Sequence, residues 1–98
     1  MTFDGFDWDE GNRGKCERHG VSVSEIESLF TGSALLLPDH AHSVGEPRRW
    51  AIGQTGRRHI FVVYTIRAKD GRRLVRPISA RYMHRKEVAH YEKENPAV

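Results

Sequence analysis

Two runs of β-forming residues joined by Asp70-Gly71 constrain this chain more than anything else in it. The first is Arg57-Arg58-His59-Ile60-Phe61-Val62-Val63-Tyr64-Thr65-Ile66-Arg67, and the second is Arg72-Arg73-Leu74-Val75-Arg76-Pro77-Ile78-Ser79-Ala80-Arg81. Aromatic and β-branched residues favour strands, and Asp-Gly is a dipeptide that readily takes the two left-handed conformations of a tight hairpin turn. A two-residue turn places Arg67 opposite Leu74, Thr65 opposite Arg76, Val63 opposite Ile78 and Phe61 opposite Ala80. With side chains alternating, these eight share one face, and Tyr64, Val75, Pro77, Ser79 and Arg81 lie on the other. Arg67 and Arg81 are then on opposite faces, unless a one-residue slip reverses part of the assignment. Pro77 within the strand points to an edge position or a bulge.

The hairpin is also where the charge collects. Residues 57–86 hold ten of the sixteen Lys and Arg residues and one acid, Asp70, whereas residues 1–30 hold seven acids and three bases. A basic sheet on a chain of net charge +3 suits a polyanion, and Arg binds phosphate through two parallel hydrogen bonds from a fork that stays charged. The competing explanation is that the acidic and basic regions attract each other and help hold the fold.

The remaining segments complete an α+β domain. Ninety-eight residues make a single domain. Phe3, Phe6 and Trp8 alternate with polar residues and Gly as a short strand or an arm. A helix runs from Asp9-Glu10 to about Arg18, ended by Gly20. Ser22 or Ser24 caps a second helix with Val23, Ile26, Leu29 and Phe30 on its apolar face. Ala34–Leu37 and Arg49–Gln54 read as strands, residues 39–48 as a loop, and Met83–Asn95 as a polar helix. The expected architecture is two N-terminal helices, an antiparallel sheet of about four strands and a C-terminal helix. Cys16 is the single cysteine, which excludes an internal disulfide and fits a reducing compartment. No apolar run approaches the roughly 20 residues that span a bilayer, and the acidic N-terminus lacks the pattern of a signal peptide. A cytoplasmic location, with no membrane partner, is therefore expected.

Cys16, His19, His40 and His42 have the donor types of a zinc site but lack the paired thiols of a strong one, so no metal and no other cofactor is expected. The sequence holds no Gly-rich phosphate loop, nucleophile elbow or acidic metal cluster.

The order and spacing of six segments resemble one family. They are Phe6-Asp7-Trp8-Asp9-Glu10, Arg18-His19-Gly20-Val21-Ser22, Ile52-Gly53, Val62-Val63-Tyr64-Thr65-Ile66-Arg67, Ile78-Ser79-Ala80-Arg81, and Arg85 to Tyr91-Glu92. Together they are similar to the BrnT toxins of type II toxin–antitoxin systems, over roughly residues 3 to 93. The resemblance implies a RelE-like fold and an endoribonuclease that arrests translation. It also implies an adjacent BrnA-type antitoxin, dimeric through a ribbon-helix-helix part, that neutralises the toxin and carries the complex to operator DNA. The positions matching the family's motifs are His19, Tyr64, Arg67, Ser79 and Arg81. Pro77 departs from the family, which often has a β-branched residue there.

Metal-free RNA cleavage needs a base for the ribose 2′-hydroxyl, an acid for the leaving oxygen and cations for the phosphorane. The candidate catalytic residues are therefore His19 and Tyr64 for proton transfer, and Arg67 and Arg81 for phosphate stabilisation. Lys15, four residues before His19, would support it from the same helix. Lys15, Arg67, Arg76, Arg81 and Arg85 are the candidate RNA-binding residues. The alternative from a different class is a non-catalytic module whose basic sheet docks an acidic protein or a nucleic acid.

Overall fold

The computed structural model describes residues 3–39 and 45–94. The chain runs β1 (Gly5–Phe6), α1 (Glu10–Glu17), α2 (Val23–Thr31), β2 (Leu35–Asp39), β3 (Arg48–Thr55), β4 (Arg58–Lys69), β5 (Arg72–Tyr82) and α3 (Arg85–Glu94). The strands form one sheet in the order β1-β5-β4-β3-β2, an α+β arrangement. β2 to β5 are the four antiparallel strands expected. The aromatic arm adds a fifth, because Gly5 and Phe6 pair in parallel with Leu74 and Val75.

Local chemistry accounts for the boundaries. Asp9 caps α1, accepting from the Asn12 backbone N–H at 3.0 Å while the Asn12 Oδ1 accepts from the Asp9 backbone N–H at 2.7 Å. Ser22 and Glu25 exchange the same pair of bonds at the start of α2. These reciprocal boxes satisfy donors that a helix start leaves without intrahelical partners. Asp70 and Gly71 both have positive φ, 54° and 75°, which is the backbone of a two-residue turn matched to strand twist. β2 extends through Pro38 to Asp39, beyond the expected stop at the proline, since β2 is an edge strand and a missing N–H costs no ladder bond there.

One feature of β5 rewrites the expected faces. Arg67–Leu74, Thr65–Arg76 and Tyr64–Pro77 pair in the anticipated register, but Val63 pairs with Ser79 instead of Ile78, leaving Ile78 as an extra residue. This bulge shifts the register, so Phe61 lies opposite Arg81 rather than Ala80, and Val62 opposite Ala80. The two-face assignment made from an unbroken ladder is therefore corrected for residues 78 to 81. Ser79 and Arg81 join Phe61, Val63, Thr65, Arg67 and Arg76 on one face, while Tyr64 stays on the other. Proline, with no N–H to donate, sits where the ladder breaks, and the buried Asn12 side chain donates to the Pro77 carbonyl at 2.8 Å.

α1 and α2 cover one face. Cys16, Val21, Ile26 and Leu29 pack there against Ala51, Ile60, Val62, Tyr64, Val75 and Ala80. Phe30 joins Phe3, Phe6 and Tyr64 through edge-on ring contacts at 6.1, 5.9 and 4.8 Å. Gly53 lies close beneath α2: a Cβ there would meet Leu29 Cδ1 at 2.5 Å and the Ser33 carbonyl oxygen at 3.3 Å, so a larger residue requires the Leu29 side chain to move. On the other face, among the described residues, α3 leans across the end near the β3–β4 turn and the segment with Glu46 and Pro47 lies over Arg67 and Thr65 at the far end. Tyr91 packs on His59 with ring centroids 6.0 Å apart, and Glu87 bonds Arg81.

Part of the charge asymmetry is internal structure. Asp4 accepts from the Arg73 backbone N–H at 2.7 Å, the Asp4 carbonyl accepts from Arg72 at 3.1 Å, and Asp7 and Asp9 face Arg76 at 3.5 and 2.8 Å. The acidic N-terminal arm is thus strapped to the basic strand beside it.

Candidate functional site

Arg81 is the centre of the open face. Its guanidinium lies 4.9 Å from the centroid of the Phe61 ring, the residue opposite it in β4. The Glu87 carboxylate grips it with two bonds, Nη1 to Oε1 at 2.7 Å and Nη2 to Oε2 at 2.8 Å. Glu87 also accepts the His84 backbone N–H at 2.9 Å, which ties this pair to the start of α3. The fork is thereby fixed in direction, and its remaining N–H groups are left for another acceptor. A small pocket of about 80 Å³ beside it is lined by His19, Phe61, Ser79, Ala80 and Arg81. His19 belongs to the turn between α1 and α2 and is exposed, so it reaches this pocket from the free side of β5. The bulge brings Ser79 and Arg81 to the pocket's sheet face, and the α1–α2 turn delivers His19.

The Arg81–Glu87 pair holds the Glu87 carboxyl far below its ordinary range, at about 2, with the His84 N–H reinforcing the effect. A carboxyl depressed in this way contributes stability above its unfolded value and loses it as pH falls toward the folded one. The difference in melting temperature between wild type and Glu87→Gln should therefore stay constant from pH 7 to about 5. It should shrink below the unfolded value of about 4.3 and vanish near pH 2. Paired thermal melts across that range check it.

Arg67 does not belong to this pocket. It sits opposite Leu74, six residues along β4 from Phe61, or roughly 20 Å at strand spacing. Arg67 and Arg81, both candidates for phosphate stabilisation, share a face but stand at opposite ends of the hairpin. Arg67 bonds Glu46 at 2.8 and 3.3 Å. With Lys15, Arg48 and Arg76 it lines a cleft of about 320 Å³ over the far end of the sheet. Lys15 and His19 were expected on one helix. α1 ends at Glu17, and the two line different cavities. Arg85 begins α3 and is exposed, lining neither.

Tyr64 is fully buried, on the helix-covered face, with Phe30 against its ring. Burial pushes its hydroxyl up from the ordinary tyrosine range, which disfavours the charged form. Its hydroxyl has no hydrogen-bond partner among the described residues. Tyr64 therefore lies apart from the Arg81 pocket, on the opposite face of the sheet. Tyr64→Phe should leave RNA cleavage unchanged and alter stability by no more than about 1 kcal/mol, since a polar atom without a partner is what it deletes. A denaturant melt and a cleavage assay on the same preparation check both.

Among the described residues no three His, Cys, Asp or Glu side chains gather as metal ligands. Cys16 is buried, with its thiol pushed up to about 11 by desolvation. His40 and His42 lie outside the described residues.

Glu87 and Phe61 were not singled out beforehand as site residues. Glu87 is six residues from Arg81, across a strand–helix junction, a spacing without helical or strand meaning. Phe61 could be recognised only once Ile78 was known to be the extra residue that sets Arg81 opposite it.

The family model described as the ribonuclease toxin BrnT of type II toxin–antitoxin systems matches residues 8–87. That span includes α1, the whole hairpin and Glu87. No curated protein matches the chain.

Proposed function

The chain belongs to the BrnT family of ribonuclease toxins of type II toxin–antitoxin systems, and from that premise we propose that it cleaves RNA, without a metal, at the pocket formed by Arg81 and His19. The observation that carries this reading is the pocket itself. It sets a geometrically fixed arginine fork, the His19 imidazole and the Ser79 side chain on one small concavity of a basic sheet.

Arg81 would stabilise the charge that builds on the phosphorane, and His19 would take the proton from the ribose 2′-hydroxyl or give one to the leaving oxygen. An imidazole has one ring nitrogen that can accept a proton and one that can donate, so it can serve either role. Glu87 acts through Arg81, holding the fork in place, and is a positioning residue. Lys15, Arg67 and Arg76, gathered in the second cleft, would hold flanking phosphates, with Arg85 adding charge at the start of α3.

Membership in the family brings an antitoxin partner. We take this to be a BrnA-like ribbon-helix-helix dimer that covers the open face and carries the complex to its operator DNA. Cleavage of RNA in this way would arrest translation in the cytoplasm. No helix among the described residues is long and apolar enough to cross a membrane.

Purified protein incubated with total RNA in the presence of a chelator should degrade it, and the product of the neighbouring reading frame should stop the degradation. Intact RNA after incubation with the folded, antitoxin-free protein would refute the reading.

A further inference from the structure

The open face carries a second feature beside the Arg81 pocket. A groove of about 540 Å³ runs between the sheet and α3. Its floor is Leu35, Leu37, Trp50, Ile52, Phe61 and Met83. Trp50 and Phe61 form a tilted aromatic pair with centroids 5.5 Å apart, and both stay partly exposed. On its α3 side Tyr91 lines it together with Lys86, Glu87, His90 and Glu94, whose polar ends edge a groove that is mainly apolar.

Phe61 lines both this groove and the Arg81 pocket, and the Arg81 guanidinium is in contact with its ring. An anion held by Arg81 and an aromatic platform are therefore adjacent. A nucleotide has the same layout, since its base is only one sugar away from its phosphate. An aliphatic ligand would have no use for the arginine, and a phosphate alone would have no use for the two rings. Bases of single-stranded RNA stack on exposed aromatic side chains of open sheets, and arginine against the ring adds a cation–π contribution. The polar edge of α3 supplies donors and acceptors along one side of the groove, where the edge of a stacked base would face.

Resting on the ribonuclease reading above, we infer that the groove beneath α3 is a nucleobase subsite, in which the Phe61 ring stacks a base of single-stranded RNA adjoining the phosphate at Arg81 and Trp50, tilted 55° to it, flanks that base. The ligand class is an unpaired nucleotide, because a base within a duplex presents no free face to stack. Phe61 sets the position of the base relative to the reacting phosphate, and the tilted Trp50 ring bounds the base from the side.

Trp50 is a built-in probe. A 2′-O-methyl dinucleotide has no free 2′-hydroxyl at its linkage and cannot be cleaved, so it reports binding alone. Titrated into the full chain, it should quench the Trp50 fraction of the emission, identified as the part lost in Trp50→Phe. Ribose 5-phosphate, which has the phosphate and no base, should not. Phe61→Leu should weaken dinucleotide binding by about tenfold or more, and Phe61→Tyr should restore it. Circular dichroism confirms that each variant is folded. The inference is overturned if the dinucleotide does not quench, if ribose 5-phosphate quenches as well as it does, or if Phe61→Leu binds like wild type. It is also overturned if the groove responds only to the antitoxin, with Trp50 emission and the Phe61→Leu effect appearing in that titration alone, because the groove is then a protein-docking surface. Cleavage of unmodified RNA by the same wild-type sample reports separately. Cleavage without quenching removes the subsite and leaves the ribonuclease, whereas quenching without cleavage does the reverse.

Discussion

Arg81→Ala should slow RNA cleavage by about 10²–10³-fold in kcat, with a smaller change in KM. The size follows from where charge develops. In attack by the 2′-hydroxyl the phosphorus oxygens gain negative charge in the transition state, and a cation already aimed at them needs no reorganisation. Arg81 is aimed in this sense. Glu87 holds two of its nitrogens at 2.7 and 2.8 Å, and the Phe61 ring flanks it. Arg81→Lys keeps the charge and loses the planar fork, so it should fall between wild type and Arg81→Ala. Arg67→Ala should behave differently. Roughly 20 Å along the strand, Arg67 is too far to meet the same phosphate, so its loss should raise KM for long RNA and leave kcat nearly unchanged. In cells, expression of the wild-type chain alone should stop growth, and the double substitution Arg67→Ala with Arg81→Ala should relieve the arrest. The measurement that decides is steady-state cleavage of one defined RNA by all four proteins, with thermal melts to show that each is folded. An Arg81→Ala protein that is folded and cleaves at the wild-type rate would remove Arg81 from the chemistry.

The course of the main chain was largely legible in the residues. Asp9 and Ser22 announced the two helices, Asp70-Gly71 announced the hairpin, and both signals are local, set by capping and turn chemistry within four residues. Which side chains share a surface was not legible, because it depends on one residue. Pro77 signalled that the ladder would be disturbed, but only the paired strand shows that Ile78 is the one left over. Since side chains alternate, that single residue moves Ser79 and Arg81 to the face of Phe61 and leaves Tyr64 behind in the core. Motif matching treats Tyr64 and Arg81 alike, as adjacent members of a pattern. Burial separates them, since Tyr64 is 0% exposed and Arg81 is at the mouth of a cavity. The long-range partners were equally hidden. Glu46 on Arg67, Asp9 on Arg76 and Glu87 on Arg81 each come from a different segment, and nothing in local spacing connects them.

The residue that keeps the bulge in place should be the most sensitive position outside the core. Asn12 is 5% exposed, and its side chain makes three bonds. Oδ1 accepts from the Asp9 N–H at 2.7 Å, and Nδ2 donates to the Asp7 carbonyl at 2.9 Å and the Pro77 carbonyl at 2.8 Å. One amide therefore joins the start of α1, the end of the aromatic arm and the interrupted ladder of β5. Asn12→Ala strips partners from two carbonyls and one N–H in a place that water reaches poorly, so it should destabilise by about 3 kcal/mol. For a domain of this size that lowers the melting temperature by roughly 12–24 °C. Asn12→Asp is nearly isosteric and isolates the electrostatic part. It still accepts from the Asp9 N–H, but an ionised carboxylate cannot donate to either carbonyl and lies close to Asp7 and Asp9. The folded state then favours the protonated acid, whose O–H can donate, so the folded pKa of the new carboxyl is raised. The cost should deepen as pH rises through the unfolded carboxyl value toward the folded one, and be smallest in acid. Melts of both variants from pH 4 to 8 test this. An Asn12→Asp protein as stable as wild type at neutral pH, with no trend toward acid, would show that the Pro77 carbonyl does not depend on Asn12. The register that puts Arg81 beside Phe61 would then have to be held by the sheet alone.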